Sequence, residues 1–205
     1  MNVQRAILTC ALLLGLGPLS GVWGQNPAPT AEEKAVFAAG CFWCMQPPFD
    51  HVTGVKSTVV GYTGGSEANP TYAQVSAGET GHREAIEVTF DPAKVTYAQL
   101  LTVFWQNISP VQRDGQFLDV GEQYTTAIFF QNEGQRLAAE ASKDALARSG
   151  KFQKPIATVV LPASRFWLAE EYHQKYYQKN RVAYGMYHLT SGRASFKRRY
   201  WSPGR

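Results

Sequence analysis

The stretch Ala35-Val36-Phe37-Ala38-Ala39-Gly40-Cys41-Phe42-Trp43-Cys44 decides the fold. Its first five residues are apolar and uncharged, the pattern of a buried strand that Gly40 ends. A short helix is predicted from Cys41 to Val52, distorted by Pro47 and Pro48, whose rings remove backbone donors. Outward from this junction, Val55 to Tyr62 forms a second strand, closed by Gly64-Gly65, and Glu84 to Phe90 alternates as a third. Thr96-Tyr97-Ala98-Gln99 is a capping box, and Leu100, Leu101, Phe104 and Ile108 share one face of the helix it opens. A polar loop over 109–122 precedes a fourth strand, Tyr124 to Phe130, and an Ala-rich helix, Glu133 to Arg148. Ile156 to Leu161 supplies a fifth strand, and a last helix is expected over Ala169 to Asn180. Strands interleaved with helices predict an α/β (α+β) chain folded as a two-layer sheet-and-helix sandwich.

Residues 1–24 have the order of an export signal: Arg5, the apolar run Ala6 to Leu16, then Val22-Trp23-Gly24 before a cleavage site. Gly15, Gly17 and Pro18 interrupt the run too early for a bilayer span, so no stable membrane insertion is expected. A flexible linker follows at 25–33, and one catalytic domain with a basic C-terminal tail at 34–205. The expected location is secreted or periplasmic. With 205 residues, 44% of them hydrophobic, the chain can bury a sizeable core. The net charge of +4 includes Arg5, and Lys197, Arg198, Arg199 and Arg205 crowd the tail as a solvated terminus. The body is therefore near neutral and has no basic stripe for nucleic acid.

Removal of the leader takes Cys10 with it and leaves Cys41 and Cys44. A bridge across so short a loop constrains the unfolded chain little, which favours redox chemistry over stapling. A cysteine at a helix start meets unpaired N–H groups and the positive end of the dipole, which favours its thiolate. Cys44, one turn on, can reach it as a resolving thiol. Met45 stands where c-type haem attachment needs His, and His51 alone does not complete a zinc site. The spacing leaves a thioredoxin-like thiol–disulfide oxidoreductase open. Glu84 shares the apolar face of Ile86, Val88 and Phe90, where burial would keep its carboxyl protonated, although the pattern equally allows it to point outward at the strand's leading end. A protonated carboxyl beside a thiolate is the pair that reduces a sulfoxide, because the sulfur is attacked while its oxygen takes a proton.

Gly-Cys-Phe-Trp-Cys at 40–44, Gly61-Tyr62-Thr63-Gly64-Gly65, Asn69-Pro70-Thr71-Tyr72 and Gly81-His82-Arg83-Glu84-Ala85 together resemble the A class of peptide methionine sulfoxide reductases. Asp91-Pro92, the run Gln116 to Tyr124, and Ala169-Glu170-Glu171-Tyr172-His173-Gln174 continue the likeness over roughly 34–180. The resemblance implies a two-layer sandwich with a ferredoxin-like core, its mixed sheet flanked by helices. It implies that Cys41 is the nucleophile and Glu84 the general acid. Tyr72 and Tyr124 would hydrogen-bond the sulfoxide oxygen, with Asp119 in the same polar network. Phe42 and Trp43 would wall in the substrate methyl, and the S epimer would be the substrate. Oxidised proteins or peptides carrying methionine sulfoxide are then the substrates and a thioredoxin-like donor the reductant. No cysteine follows Cys44, so Cys44 is the intramolecular resolver. No metal or organic cofactor is indicated, and a monomer is expected.

Overall fold

The computed structural model describes residues 31–202, so the expected signal at 1–24 and most of the 25–33 linker lie outside the described residues. Strands β1 (Glu33–Ala39), β2 (Val55–Thr63) and β3 (Arg83–Phe90) appear where the apolar pattern places them. Between them stand α1 (Phe42–Asp50) and the single turn α2 (Tyr72–Ser76). Helix α3 (Tyr97–Gln106) opens on the predicted capping box, with Thr96 accepting from the Gln99 N–H and the Gln99 side chain returning to Thr96. The 109–122 segment is not a plain loop. It carries a two-residue ribbon, β4 (Gly115–Gln116) and β5 (Asp119–Val120).

The fourth long strand, β6 (Thr126–Phe130), starts two residues later than predicted, because Glu122–Tyr124 forms a 3-10 turn. Helix α4 (Glu133–Arg148) is as expected. It is followed by β7 (Val159–Pro162) and a short edge strand, β8 (Trp167–Leu168), absent from the sequence reading. The sheet runs β7-β6-β1-β3-β2-β8, with only β6–β7 parallel. Its central order β6-β1-β3-β2, linked through α1 and α3, is the split β-α-β-β-α-β arrangement of a ferredoxin-like core. This is the expected mixed sheet flanked by helices.

Period-two alternation sorts β1 between two faces. Ala35, Phe37 and Ala39 meet the main core with α1, α3 and α4, while Val36 and Ala38 join a smaller cluster on the other face. Phe37 stacks on Phe49 of α1 at 5.3 Å and on Phe104 of α3 at 5.2 Å, which joins both helices to the sheet. Replacing so buried a ring by alanine costs about 3–5 kcal/mol.

The C-terminal third departs from expectation. The helix predicted over 169–180 is a 3-10 turn, Glu171–His173, then four residues of α5 (Tyr176–Lys179), with Lys175 left-handed at φ 53° between them. Tertiary bonds override helix propensity here. Gln174 donates to the Val60 carbonyl at 2.8 Å and accepts from the Val60 N–H at 2.9 Å, so its amide continues the sheet edge beyond β8. The Lys175 N–H reaches Gln46 Oε1 at 2.7 Å and its ammonium reaches Asp50 and Thr58. The basic tail is likewise not a free terminus. Residues beyond 180 form α6 (Arg181–Thr190) and α7 (Arg193–Trp201), packed through Phe196 on Phe152 and through buried Arg193. Lys197, Arg198 and Arg199 remain exposed on the outer side of α7. No helix among the described residues is long and apolar enough to cross a membrane.

Candidate active site

Cys41 sits where β1 hands over to α1, as the N-cap of that helix. Gly40 makes the turn at φ +75°, a conformation glycine adopts without penalty. A small pocket of about 70 Å³ opens beside the thiol. Its lining joins Cys41, Phe42 and Trp43 from this junction to Glu84 of β3, Tyr72 of α2, Asp119 of β5 and Tyr124. All seven belong to the set marked in the sequence, and long-range folding has brought them around one cavity with room for the end of a single side chain.

Glu84 is 2% exposed, on the core face of β3 as its alternation predicts. Its Oε2 accepts a 3.0 Å hydrogen bond from the Phe42 N–H. Burial pushes the carboxyl well above the ordinary carboxylate range, and the Cys41 charge adds to this, against the Phe42 bond. The carboxyl is therefore held in its protonated form. The Cys41 thiol does not show the depressed value expected of a helix start. Burial pushes it up, opposed by the Tyr187 hydroxyl and the Arg193 guanidinium. The neighbouring Cys44 adds to the rise, and the Phe42 N–H at the helix start is taken by Glu84.

Around this pair the site is held rigidly. Tyr72 begins α2, and its N–H donates to Glu170 Oε1 at 2.8 Å, while the Tyr62 hydroxyl donates to Glu170 Oε2 at 2.8 Å. Burial pushes the Tyr72 hydroxyl up to about 12, so it stays a donor across the neutral range. Burial raises Tyr124 too, with the Glu84 charge second. Tyr124 is positioned by its neighbour Thr125, whose hydroxyl accepts from Arg83 Nε at 2.9 Å. His173 is fully buried. Its Nδ1 accepts from Trp43 Nε1 at 3.0 Å, and its ring lies 4.4 Å from Tyr72 and 5.0 Å from Phe42. Burial lowers its basicity, so it serves as a neutral spacer between the aromatic walls.

An eighth lining residue was not foreseen. Tyr187 of α6 lines the pocket beside Cys41 and donates to Asp119 Oδ2 at 2.5 Å. Cys44 is free and buried, and its N–H donates to the Cys41 carbonyl at 3.1 Å, yet it does not line the small pocket. It faces a larger cleft, of about 610 Å³, between α1 and the last two helices. One helical turn apart, the two cysteines open to different sides.

A buried thiol with a second thiol behind it, and a protonated carboxyl with phenol hydroxyls before it, defines a thiol-dependent reductase. Such a site moves an oxygen atom rather than hydrolysing a bond. The comparisons agree. The family model described as peptide methionine sulfoxide reductase matches residues 33–204, and the chain belongs to that family. A peptide methionine sulfoxide reductase MsrA of Bacillus pumilus is 52% identical over 171 residues, covering 83% of this chain and 96% of that one. Among solved structures, methionine sulfoxide reductase A of Corynebacterium diphtheriae superposes with a TM-score of 0.64 at 32% identity, covering 77% of this chain and 84% of its own. Mxr1 of Saccharomyces cerevisiae in reduced form gives a TM-score of 0.70 at 28% identity, over 75% and 88%.

Proposed function

We propose that this protein reduces methionine S-sulfoxide, in peptides and proteins and as the free amino acid, back to methionine. The observation that carries the reading is the buried Glu84 carboxyl sharing one small pocket with the Cys41 sulfur. The Cys41 thiolate attacks the sulfoxide sulfur while Glu84 gives its proton to the oxygen, and the Tyr72 and Tyr124 hydroxyls hydrogen-bond that oxygen. The sulfoxide S–O bond breaks as the protonated oxygen passes to Sγ, so methionine leaves reduced by two electrons and Cys41, oxidised by two, is left as a sulfenic acid. Phe42 and Trp43 enclose the methyl group, a contact worth about 1–3 kcal/mol of selectivity. Cys44 then condenses with the sulfenic acid, releasing water and closing a Cys41–Cys44 disulfide that a thioredoxin-like dithiol reduces.

The test is methionine release in excess dithiothreitol from separate S and R sulfoxide epimers of a blocked methionine. Turnover of S alone is expected. Release from neither epimer by folded, reduced protein would overturn the reading and turn attention to disulfide exchange.

We further propose that the chain is exported, on the order of charge, apolar run and small residues over 1–24. Recovery of a mature chain starting near Gln25 from outside the cytoplasm is expected, and an intact Met1 in the cytoplasm would refute export. We also propose that the chain acts as a monomer: sedimentation at the mass of one chain is expected, and at the mass of two would refute it.

A further inference from the structure

Arg193, the first residue of α7, is 5% exposed. A buried guanidinium ordinarily faces an anion, since an unpaired buried charge is costly. Among the described residues Arg193 enters no ion pair. Its Nη2 donates to the Ala39 carbonyl at 3.0 Å and its Nη1 to the Asn107 carbonyl at 2.9 Å, with the Met45 sulfur 3.7 Å away. Its plane lies 4.8 Å over Phe117, and its Nε is buried without a partner.

Ala39 stands two residues before Cys41 and Met45 one after Cys44, so the guanidinium brackets the cysteine turn from both ends. Arg193 and Cys44 line the same cleft, whereas Cys41 lines the substrate pocket. A fixed cation with no resident anion, beside a thiol, matches the thiolate formed during turnover.

We propose that Arg193 is a positioning residue that holds Cys44 as a thiolate and thereby speeds closure of the Cys41–Cys44 disulfide. This rests on the resolving role given to Cys44 above. The Cys44 thiolate attacks Sγ of the Cys41 sulfenic acid. The S–S bond forms, the S–O bond breaks, and the hydroxide leaves as water after taking a proton. Cys44 is oxidised and Cys41 reduced to the disulfide level, with no outside reductant.

The Arg193 charge favours both thiolates, and Cys44 is the cysteine that shares its cleft. The Cys41 hydrogen bond holds its thiol below the ordinary range against burial, Arg193 assists, and the Asp119 and Glu84 charges oppose. Tyr184 and His188 of α6 and His51 after α1 line the cleft without a fixed positive charge. Lys197 and Arg198 also line it, but they are exposed and directed to Asn107 Oδ1 and Ser195. Arg193 is the buried cation.

The test follows Cys44 alkylation by iodoacetamide against pH in a Cys41→Ser background. Adding Arg193→Gln should raise the midpoint by about one pH unit, and Arg193→Lys should recover most of that shift because it keeps the charge. An unchanged midpoint in folded Arg193→Gln protein would overturn the proposal. Should Arg193→Gln fail to fold, Arg193→Lys decides. A midpoint well below that of the urea-unfolded chain supports the role, and one equal to it refutes the role. Because thiol titration needs no substrate, its outcome is separate from that of the sulfoxide assay.

Discussion

The Phe42 N–H donates to Glu84 Oε2 at 3.0 Å, so the acid on β3 is tied to the first turn of the helix that follows Cys41. The bond spends a helix-terminal donor on the acid and fixes the carboxyl relative to the sulfur. It leaves the other carboxyl oxygen to carry the proton into the pocket. Sulfur and acid move as one unit, which is what a concerted attack and protonation requires.

Glu84→Gln keeps an oxygen to accept from Phe42 but has no acidic proton. The chemical step should fall by about 10²–10⁴-fold, with KM for the sulfoxide little changed. Single-turnover methionine release from pre-reduced enzyme measures it, and a rate within a few-fold of wild type would remove Glu84 from the mechanism.

The same substitution tests the buried acid through stability. Burial, then the Cys41 charge, raises the folded carboxyl above its ordinary 4.5. In the window between the unfolded and folded values, the folded chain holds a proton that the unfolded chain has released. Its stabilising share is thus complete below the unfolded value and is lost as pH rises through the folded one. Glutamine does not titrate, so the Tm of Glu84→Gln relative to wild type should climb across that window. A difference independent of pH would contradict the raised value.

The Tyr187 hydroxyl donates to Asp119 Oδ2 at 2.5 Å in the pocket that Cys41 also lines. Tyr187→Phe removes a charge-assisted bond worth about 1.5–3 kcal/mol. A loss of about 10–100-fold in kcat/KM is expected if that bond is what holds Asp119 in place at the pocket. Fold and Cys44 alkylation should be preserved. Unaltered kcat/KM would make the hydroxyl a structural tie for β5 alone.

Cys41 and Glu84 were legible in local patterns, whereas Tyr72, Tyr124, Asp119, Phe42 and Trp43 came from the motifs' resemblance to a family. Alternation placed Glu84 inward, and the strand–glycine–cysteine junction placed Cys41 at a helix start. Tyr187 and Arg193 were not legible. Helix α6 turns Val182, Met186 and Leu189 to solvent and keeps Tyr184, Tyr187 and His188 inward, so an amphipathic reading would have rotated it the wrong way. Arg193 sits in a charge-rich segment that looks solvated until the Ala39 and Asn107 carbonyls are brought to it. The broken 169–180 helix failed for a related reason: Gln174 and Lys175 answer to β2 and α1 rather than to their neighbours in sequence.

Gly40 leaves no room for a side chain. A Cβ there would lie 2.5 Å from the Gln116 Cβ and 2.6 Å from Arg193 Nη2, on backbone already at φ +75°. Gly40→Ala should therefore destabilise the fold by more than about 2 kcal/mol. Urea denaturation measures it, and a midpoint equal to wild type would show that the turn relaxes freely.

Cys44 approaches Cys41 from the side away from the substrate pocket, and the sequence holds no cysteine after it. In Cys44→Ser the first attack is intact, so the sulfenic acid forms and one methionine is released per enzyme. Dithiothreitol is small enough to reduce that sulfenic acid directly and should sustain turnover. A protein dithiol is expected to need the disulfide that Cys44 forms, because the 70 Å³ pocket admits little more than a side-chain end. With such a donor the variant should stop after one equivalent. Steady turnover there would mean that the donor reaches Cys41 itself and that Cys44 protects the nucleophile from further oxidation instead of resolving it.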